Sequence, residues 1–220
     1  MSAPVPTLFQ AYAAAMSRHA LQLIAEGYAG MDHTRFADEE ETVITGELVA
    51  GIRAFLESGE GSPAWCGHYS VPEEQPMNVH GKLGKSRPRV DIEFVRVVRG
   101  KRPRLRFEAK RLHSTTGHTV GVYLGKEGLG CFLSGKYPMT HAEAGMLGYV
   151  QSEDEPTWAG RIASALRQRR AQYAVADPPF STQTARGGPP HTYVSHHHAE
   201  AAPHIRVHHV FLQFLHASNN

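Results

Sequence analysis

Cysteine is nearly missing from this chain: Cys66 and Cys131 are the two present, far apart and in no paired motif. That excludes a disulfide framework and a cysteine-ligated zinc site, and leaves reduced thiols as the plain expectation. Long apolar runs are missing as well, since none approaches the roughly 20 residues that a membrane span requires. The first residues, MSAPVPTLFQAYAAAMSRHA, lack the basic start of a secretory signal, so a cytoplasmic protein is expected. There is no internal repeat, and neither a helix-turn-helix nor a zinc-finger signature marks a sequence-specific DNA reader. Basic residues are scarce at the start: residues 1–81 hold 3, against 11 acidic ones.

The 220 residues, 41% hydrophobic and 9% aromatic, are enough for one substantial core. A formal net charge of +2 conceals a segregation, because residues 82–111 hold 12 basic residues against 3 acidic ones, while residues 112–220 hold 8 and 7. Such a concentration of Lys and Arg suits a polyanion, since phosphate contacts supply most non-specific nucleic-acid affinity. A solvated hairpin with basic outer residues is the plain alternative.

Inside that basic segment, residues 89–112 (RVDIEFVRVVRGKRPRLRFEAKRL) read as two strands. Val90, Ile92 and Phe94 alternate with Asp91, Glu93 and Val95; Leu105, Phe107 and Ala109 alternate with Arg106, Glu108 and Lys110. The connection through Arg99, Gly100, Lys101, Arg102 and Pro103 carries two breakers, so the strands can pair as a hairpin that sets Asp91 near Glu108 and Lys110. Two carboxylates and an ammonium would then share one site. An exposed strand face with an ordinary ion pair is the rival reading of the same residues.

Around the hairpin, residues 7–26 have helical composition, with Leu8, Tyr12, Met16 and Leu23 near one face and Gly27 as a stop. A second helix is expected from Asp38, with Asp38 and Glu41 at capping-box spacing and Ile44, Leu48, Ile52 and Phe55 as its apolar stripe. Glu40 then lies one turn before Ile44, on the buried side. A break at residues 59–63, a short strand at 65–71 and a loop at 73–84 follow. After the hairpin come a short helix at 123–132, a buried strand at 145–151, a helix introduced by Pro156 and a closing strand at 204–214. Residues 177–204, rich in Pro, Gly, His and Thr, read as a long irregular connection. The pattern is α/β, with a mixed central sheet flanked by helices: residues 1–37 as an N-terminal helical extension packed on the core, residues 38–220 as one globular unit.

The helix with Glu40, the VDIEF strand with Asp91, the FEAKRL strand with Glu108 and Lys110, then a helix and the GMLGYV strand, together resemble the PD-(D/E)XK nuclease superfamily, which has the restriction-endonuclease-like fold. Val90 stands where the family's name records a proline. The resemblance, over roughly residues 38–170, implies a phosphodiesterase dependent on Mg²⁺ or Mn²⁺. By position Asp91 and Glu108 would be the metal carboxylates, the Ala109 carbonyl a further ligand, Glu40 an additional metal contact from the helix, and Lys110 the residue that orients or deprotonates the water. Glu41 is the rival to Glu40, its plain role being that of a capping-box residue. The resemblance further implies nucleic acid, DNA above all, as partner, and a homodimer or a subunit of a larger complex such as a restriction or anti-phage defence system. A non-cutting nucleic-acid-binding or assembly subunit with the same fold is the alternative.

Fifteen histidines invite a zinc site, but no acidic or cysteine partner is spaced to complete one around His196, His197 and His198. His208 and His209 would point to opposite faces of the closing strand. His113 and His118 follow the Glu108 strand within reach of a phosphate, and Arg161, Arg167, Arg169 and Arg170 face either DNA or solvent.

Overall fold

Alternation along residues 90–112 builds the hairpin, and a seven-stranded mixed sheet grows outward from it. The computed structural model describes residues 8–217, apart from residues 60–61, 73–75, 78–80, 82, 116 and 200–201. Strand β2 (Ile92–Arg96) pairs antiparallel with β3 (Arg104–Leu112), placing Ile92 opposite Phe107 and Glu93 opposite Arg106. β1 (Tyr69–Ser70) flanks β2. On the other side β3, β4 (Glu143–Val150) and β7 (Ala202–Gln213) run parallel, and β6 (Thr192–Ala199) and β5 (Ser181–Thr182) close the sheet antiparallel, in the order β1-β2-β3-β4-β7-β6-β5.

Both faces of the sheet are covered, so its central strands are apolar on both sides. One core joins Ile92, Phe94, Phe107, Leu147 and Val210 to the helices α1 (Leu8–Ala29) and α2 (Glu41–Glu57). The other joins Leu112, Met146, Val207 and Phe211 to the single turns α3 (Val120–Tyr123) and α4 (Gly130–Leu133) and to α5 (Glu155–Gln168). Strand β4 reaches this density through its glycines: a Cβ on Gly145 would lie 2.1 Å from Phe107 Cδ1, and one on Gly148 would lie 2.6 Å from Phe211 Cδ1.

Several sequence expectations are corrected. Gly27 does not stop the first helix, which continues to Ala29. It lies where α1 crosses α2, so close that an added Cβ would meet Ile52 Cγ1 at 2.7 Å and Leu48 O at 2.8 Å. Helix α2 starts at Glu41 rather than Asp38; Glu40 is its N-cap, extended at φ −70 and ψ 152, and no side chain caps it. Asp38 is instead an exposed partner of His216, 2.9 Å away. The strand expected at 65–71 is mostly a turn of 3-10 helix, Cys66–His68, before the two residues of β1. The helix expected at 123–132 is divided into α3 and α4. The irregular connection expected at 177–204 holds β5 and β6, because the strand residues Thr192, Tyr193 and Val194 precede a histidine run that pairs with β7 just as well. Thr7 in the first helix, residues 60–61 of the break and seven residues of the loop at 73–84 lie outside the described residues.

Among the described residues no helix is long and apolar enough to cross a membrane.

Candidate functional site

Where β2 begins beside β3, three chain segments meet. The hairpin register, extended one residue beyond Ile92–Phe107, sets Asp91 opposite Glu108. At this point β2 has not yet started, and the half-buried Asp91 supplies the missing acceptor: Ala109 N donates to its Oδ2 at 2.7 Å. Glu108 and Lys110 share a face of β3, as their spacing of two requires, and both are buried, at 5% and 8% exposure.

The third segment is the start of α2, fixed by polar contacts to the sheet. Gln151 Nε2 donates to the carbonyls of Phe36 (3.1 Å) and Glu39 (2.9 Å), and Thr45 Oγ1 bonds Tyr149 OH at 2.9 Å. The first helical residue is thereby aimed at the site. Lys110 Nζ donates to Glu41 Oε1 (2.9 Å), Glu108 Oε1 (3.0 Å) and the Ala109 carbonyl (2.5 Å), which accounts for all three ammonium protons. Glu40 is not brought there. Its side chain, 71% exposed, pairs with Arg111 at 3.1 Å, because an N-cap residue in extended conformation does not share the helix's periodicity. The rival Glu41 holds the place expected of Glu40.

Sequence reasoning missed Tyr137. It is 29 positions from Glu108 in the chain, in a stretch without periodicity, and only the fold brings its hydroxyl to 2.8 Å from Glu108 Oε2 and 2.7 Å from the carbonyl of Arg89. The tyrosine in the short GKYPMT connection was its one visible sign.

The charges of this cluster compete. Burial first, and then the carboxylate of Asp91, push the Glu108 carboxyl up to about 8. Burial alone would release a proton from Lys110, but Glu108 and Glu41 outweigh it, and the ammonium holds its proton more tightly than a free lysine. Burial and the adjacent Glu108 keep the Tyr137 phenol neutral far above its ordinary range.

These atoms fit a hard divalent cation. The donors are all oxygen: two carboxylates and the Ala109 carbonyl, where one or two carboxylates satisfy Mg²⁺ when water and phosphate complete its shell. The Lys110 ammonium already marks a cation's place on two of these groups, Glu108 and the Ala109 carbonyl, with Glu41 as its third acceptor. Among the described residues no group of three or more His, Cys, Asp and Glu side chains forms a metal cage.

The basic segment is partly used up inside the chain. Arg104 and Arg106 both hold the buried Glu93, Arg96 stacks over Tyr12 at 4.4 Å, and Lys110 and Arg111 take Glu41, Glu108 and Glu40. Lys85, Arg89, Arg99, Lys101 and Arg102 are exposed. His118 Nε2 meets Arg111 at 2.7 Å, and burial with that guanidinium lowers its pKa. Arg161, Arg167, Arg169 and Arg170 are exposed on and after α5, with Arg161 held by Glu153 and Arg170 by Asp177.

A second polar cluster lies fully buried between β6 and β7. His197 Nδ1 is 2.7 Å from Tyr173 O, which can only accept, so Nδ1 carries the proton and Nε2 accepts from Ser195 OH at 2.7 Å. Ser195 Oγ therefore accepts from His209 Nε2 at 2.7 Å, and His209 Nδ1 accepts from Tyr123 OH at 3.0 Å. Burial depresses His197 to about 4 and His209 well below its usual value, in keeping with two neutral rings. Ser195 is a nucleophile by residue type only, since no surface of it reaches solvent. His208 points to the other face, toward Gln183 and Glu143.

Comparison with protein-family models, with curated proteins and with solved structures finds no match to this chain.

Proposed function

We propose that the protein is a metal-dependent nuclease of restriction-endonuclease-like fold that hydrolyses nucleic-acid phosphodiester bonds, with DNA as the expected substrate. The observation that carries this reading is the convergence of Asp91, Glu108, the Ala109 carbonyl and Lys110 at the head of one hairpin, with Glu41 closing it from α2. Asp91, Glu108 and the Ala109 carbonyl would hold Mg²⁺ or Mn²⁺, which when bound polarises a phosphate and acidifies water.

The chain's own groups divide the remaining work. The Lys110 ammonium, held by Glu41, Glu108 and the Ala109 carbonyl, acts through its charge, stabilising negative charge that develops on the phosphate. Glu41 and Glu108 hold that ammonium in place. The exposed Lys85, Arg89, Arg99, Lys101 and Arg102 would supply salt-dependent contacts to the phosphate backbone. The biological role in view is the cutting subunit of a restriction or anti-phage defence system in the cytoplasm, as a homodimer or within a larger complex.

One observation favours a second reading, a non-cutting nucleic-acid-binding or assembly subunit: the ammonium already takes Glu108 Oε1 and the Ala109 carbonyl, two of the three groups a cation would need. The experiment that separates them is incubation of purified protein with plasmid, linear duplex, single-stranded DNA and RNA in Mg²⁺, Mn²⁺ or EDTA, beside Asp91→Ala and Lys110→Ala. Cleavage that needs metal and is lost in both variants supports the nuclease. Salt-sensitive binding of nucleic acid with no metal-dependent cleavage supports the second reading.

A further inference from the structure

We propose that Tyr137 is the positioning residue of this site: its hydroxyl ties the Glu108 carboxylate to the segment that delivers Asp91, and so sets the affinity for a divalent cation. The inference rests on the nuclease reading and deepens it.

The geometry is specific. A single oxygen, Tyr137 Oη, lies 2.8 Å from Glu108 Oε2 and 2.7 Å from the carbonyl of Arg89, two residues before Asp91, so that its one proton is shared between the two acceptors in a three-centre bond. It therefore fixes β3's carboxylate against the approach to β2, at the point where no ladder bond does so. The other oxygen of Glu108 is held by Lys110, so the hydroxyl decides whether the carboxylate is clamped on one side or on both.

Tyr137 is itself immobilised. It is 3% exposed, its ring meets Phe132 edge-on with centroids 5.4 Å apart, and its N–H donates to Cys131 O at 3.1 Å. A tyrosine has few torsions to lose, and packing against α4 has already fixed them. Tyr137 does not coordinate the ion. It acts through Glu108, in the way that partners behind metal ligands commonly govern affinity by about ten- to a hundredfold.

The test is Mn²⁺ binding to the substrate-free protein, read from the electron paramagnetic resonance of free Mn²⁺. Wild type is compared with Tyr137→Phe, Asp91→Ala and Ser195→Ala, the last loosening the other buried network while keeping the hydroxyl and its packing. Tyr137→Met, which also lacks the hydroxyl, is the second variant should Tyr137→Phe not fold. The expected result is a dissociation constant raised about tenfold or more without the hydroxyl, no binding in Asp91→Ala, and an unchanged constant in Ser195→Ala. Cleavage by Tyr137→Phe should return toward the wild-type rate at saturating Mn²⁺, which a merely structural defect would not allow. A hydroxyl-free variant that binds Mn²⁺ as tightly as wild type overturns the proposal and leaves the nuclease reading standing. A wild type that binds no Mn²⁺ overturns both.

Discussion

Around Glu108 two carboxyls, an ammonium and a phenol make conflicting demands on charge; around His209 the buried groups are neutral, and each donor has one acceptor. The two clusters border the same core, through Tyr137 in one and Tyr123 in the other. In the first, two carboxylates face each other, and burial with their repulsion pushes one of them up to about 8. In the second, the chain Tyr123–His209–Ser195–His197–Tyr173 runs in a single direction with no charge at all. A satisfied neutral network specifies a fold, whereas an unresolved group of charges is where chemistry can be done.

The comparison breaks most sharply on activity. Asp91→Ala and Lys110→Ala should each reduce metal-dependent cleavage by at least about a hundredfold, measured as initial rates on duplex DNA. Ser195→Ala should leave that rate intact while leaving His197 Nε2 and His209 Nε2–H without their partner. With about 1–3 kcal/mol for each of these two unsatisfied groups, a loss of about 2–6 kcal/mol is expected in urea unfolding. Equal losses of rate in all three variants would show that the two clusters are not separable.

Acid and base should act on the two clusters in opposite directions. The folded pKa values of His197 and His209 lie below the ordinary 6.5, so as pH falls below 6.5 the unfolded chain takes up protons first. Stability then declines down to about pH 4, where His197 itself titrates, at about 1.4 kcal/mol per pH unit for each ring. Glu108 has the reverse sign: its folded pKa is raised from 4.5 to about 8, so its contribution is complete below 4.5 and is lost as pH rises through 8. Denaturant titrations across pH in EDTA should show both slopes, and Glu108→Gln should remove the alkaline one alone.

The smallest effect concerns the two neighbouring glutamates. Glu40→Gln breaks an exposed ion pair worth at most about 1 kcal/mol and should leave Mn²⁺ affinity unchanged. Glu41→Gln loosens Lys110 and should slow cleavage about tenfold, the low end for a partner that acts through another residue of a site. Cleavage rates that reversed this order would return the helical role to Glu40.

What was legible in the chain followed from period and breaker. Alternation through Ile92, Phe94, Leu105 and Phe107 gave the hairpin, and pairing then brought Asp91, Glu108 and Lys110 together. Glu40 reads as the inward residue because it stands one turn before the buried Ile44, but the helix starts at Glu41, and Glu40 as its extended N-cap does not share that phase, so Glu41 meets Lys110. Gly27 reads as a terminator in any one-dimensional account, since close approach to Ile52 is a property of two helices. Strand β6 was hidden by its composition: His196, His197 and His198 resemble loop residues, yet two of the three rings lie on opposite faces of a paired strand, one fully buried. Tyr137 and the Ser195 network depend on contacts between distant segments, which no local pattern encodes.

The bond from Ala109 N to Asp91 also separates what this hairpin can tolerate from what it cannot. Residues 98–102 lie beyond the last backbone bonds at this end of the hairpin, those of Val97 and Pro103, so length added there only changes the loop. One residue added between Asp91 and Arg96 would shift the pairing by one and turn each side chain to the opposite face, trading a carboxylate for an apolar side chain beside Ala109. The connection is free to vary in length, and the strand that carries Asp91 is not.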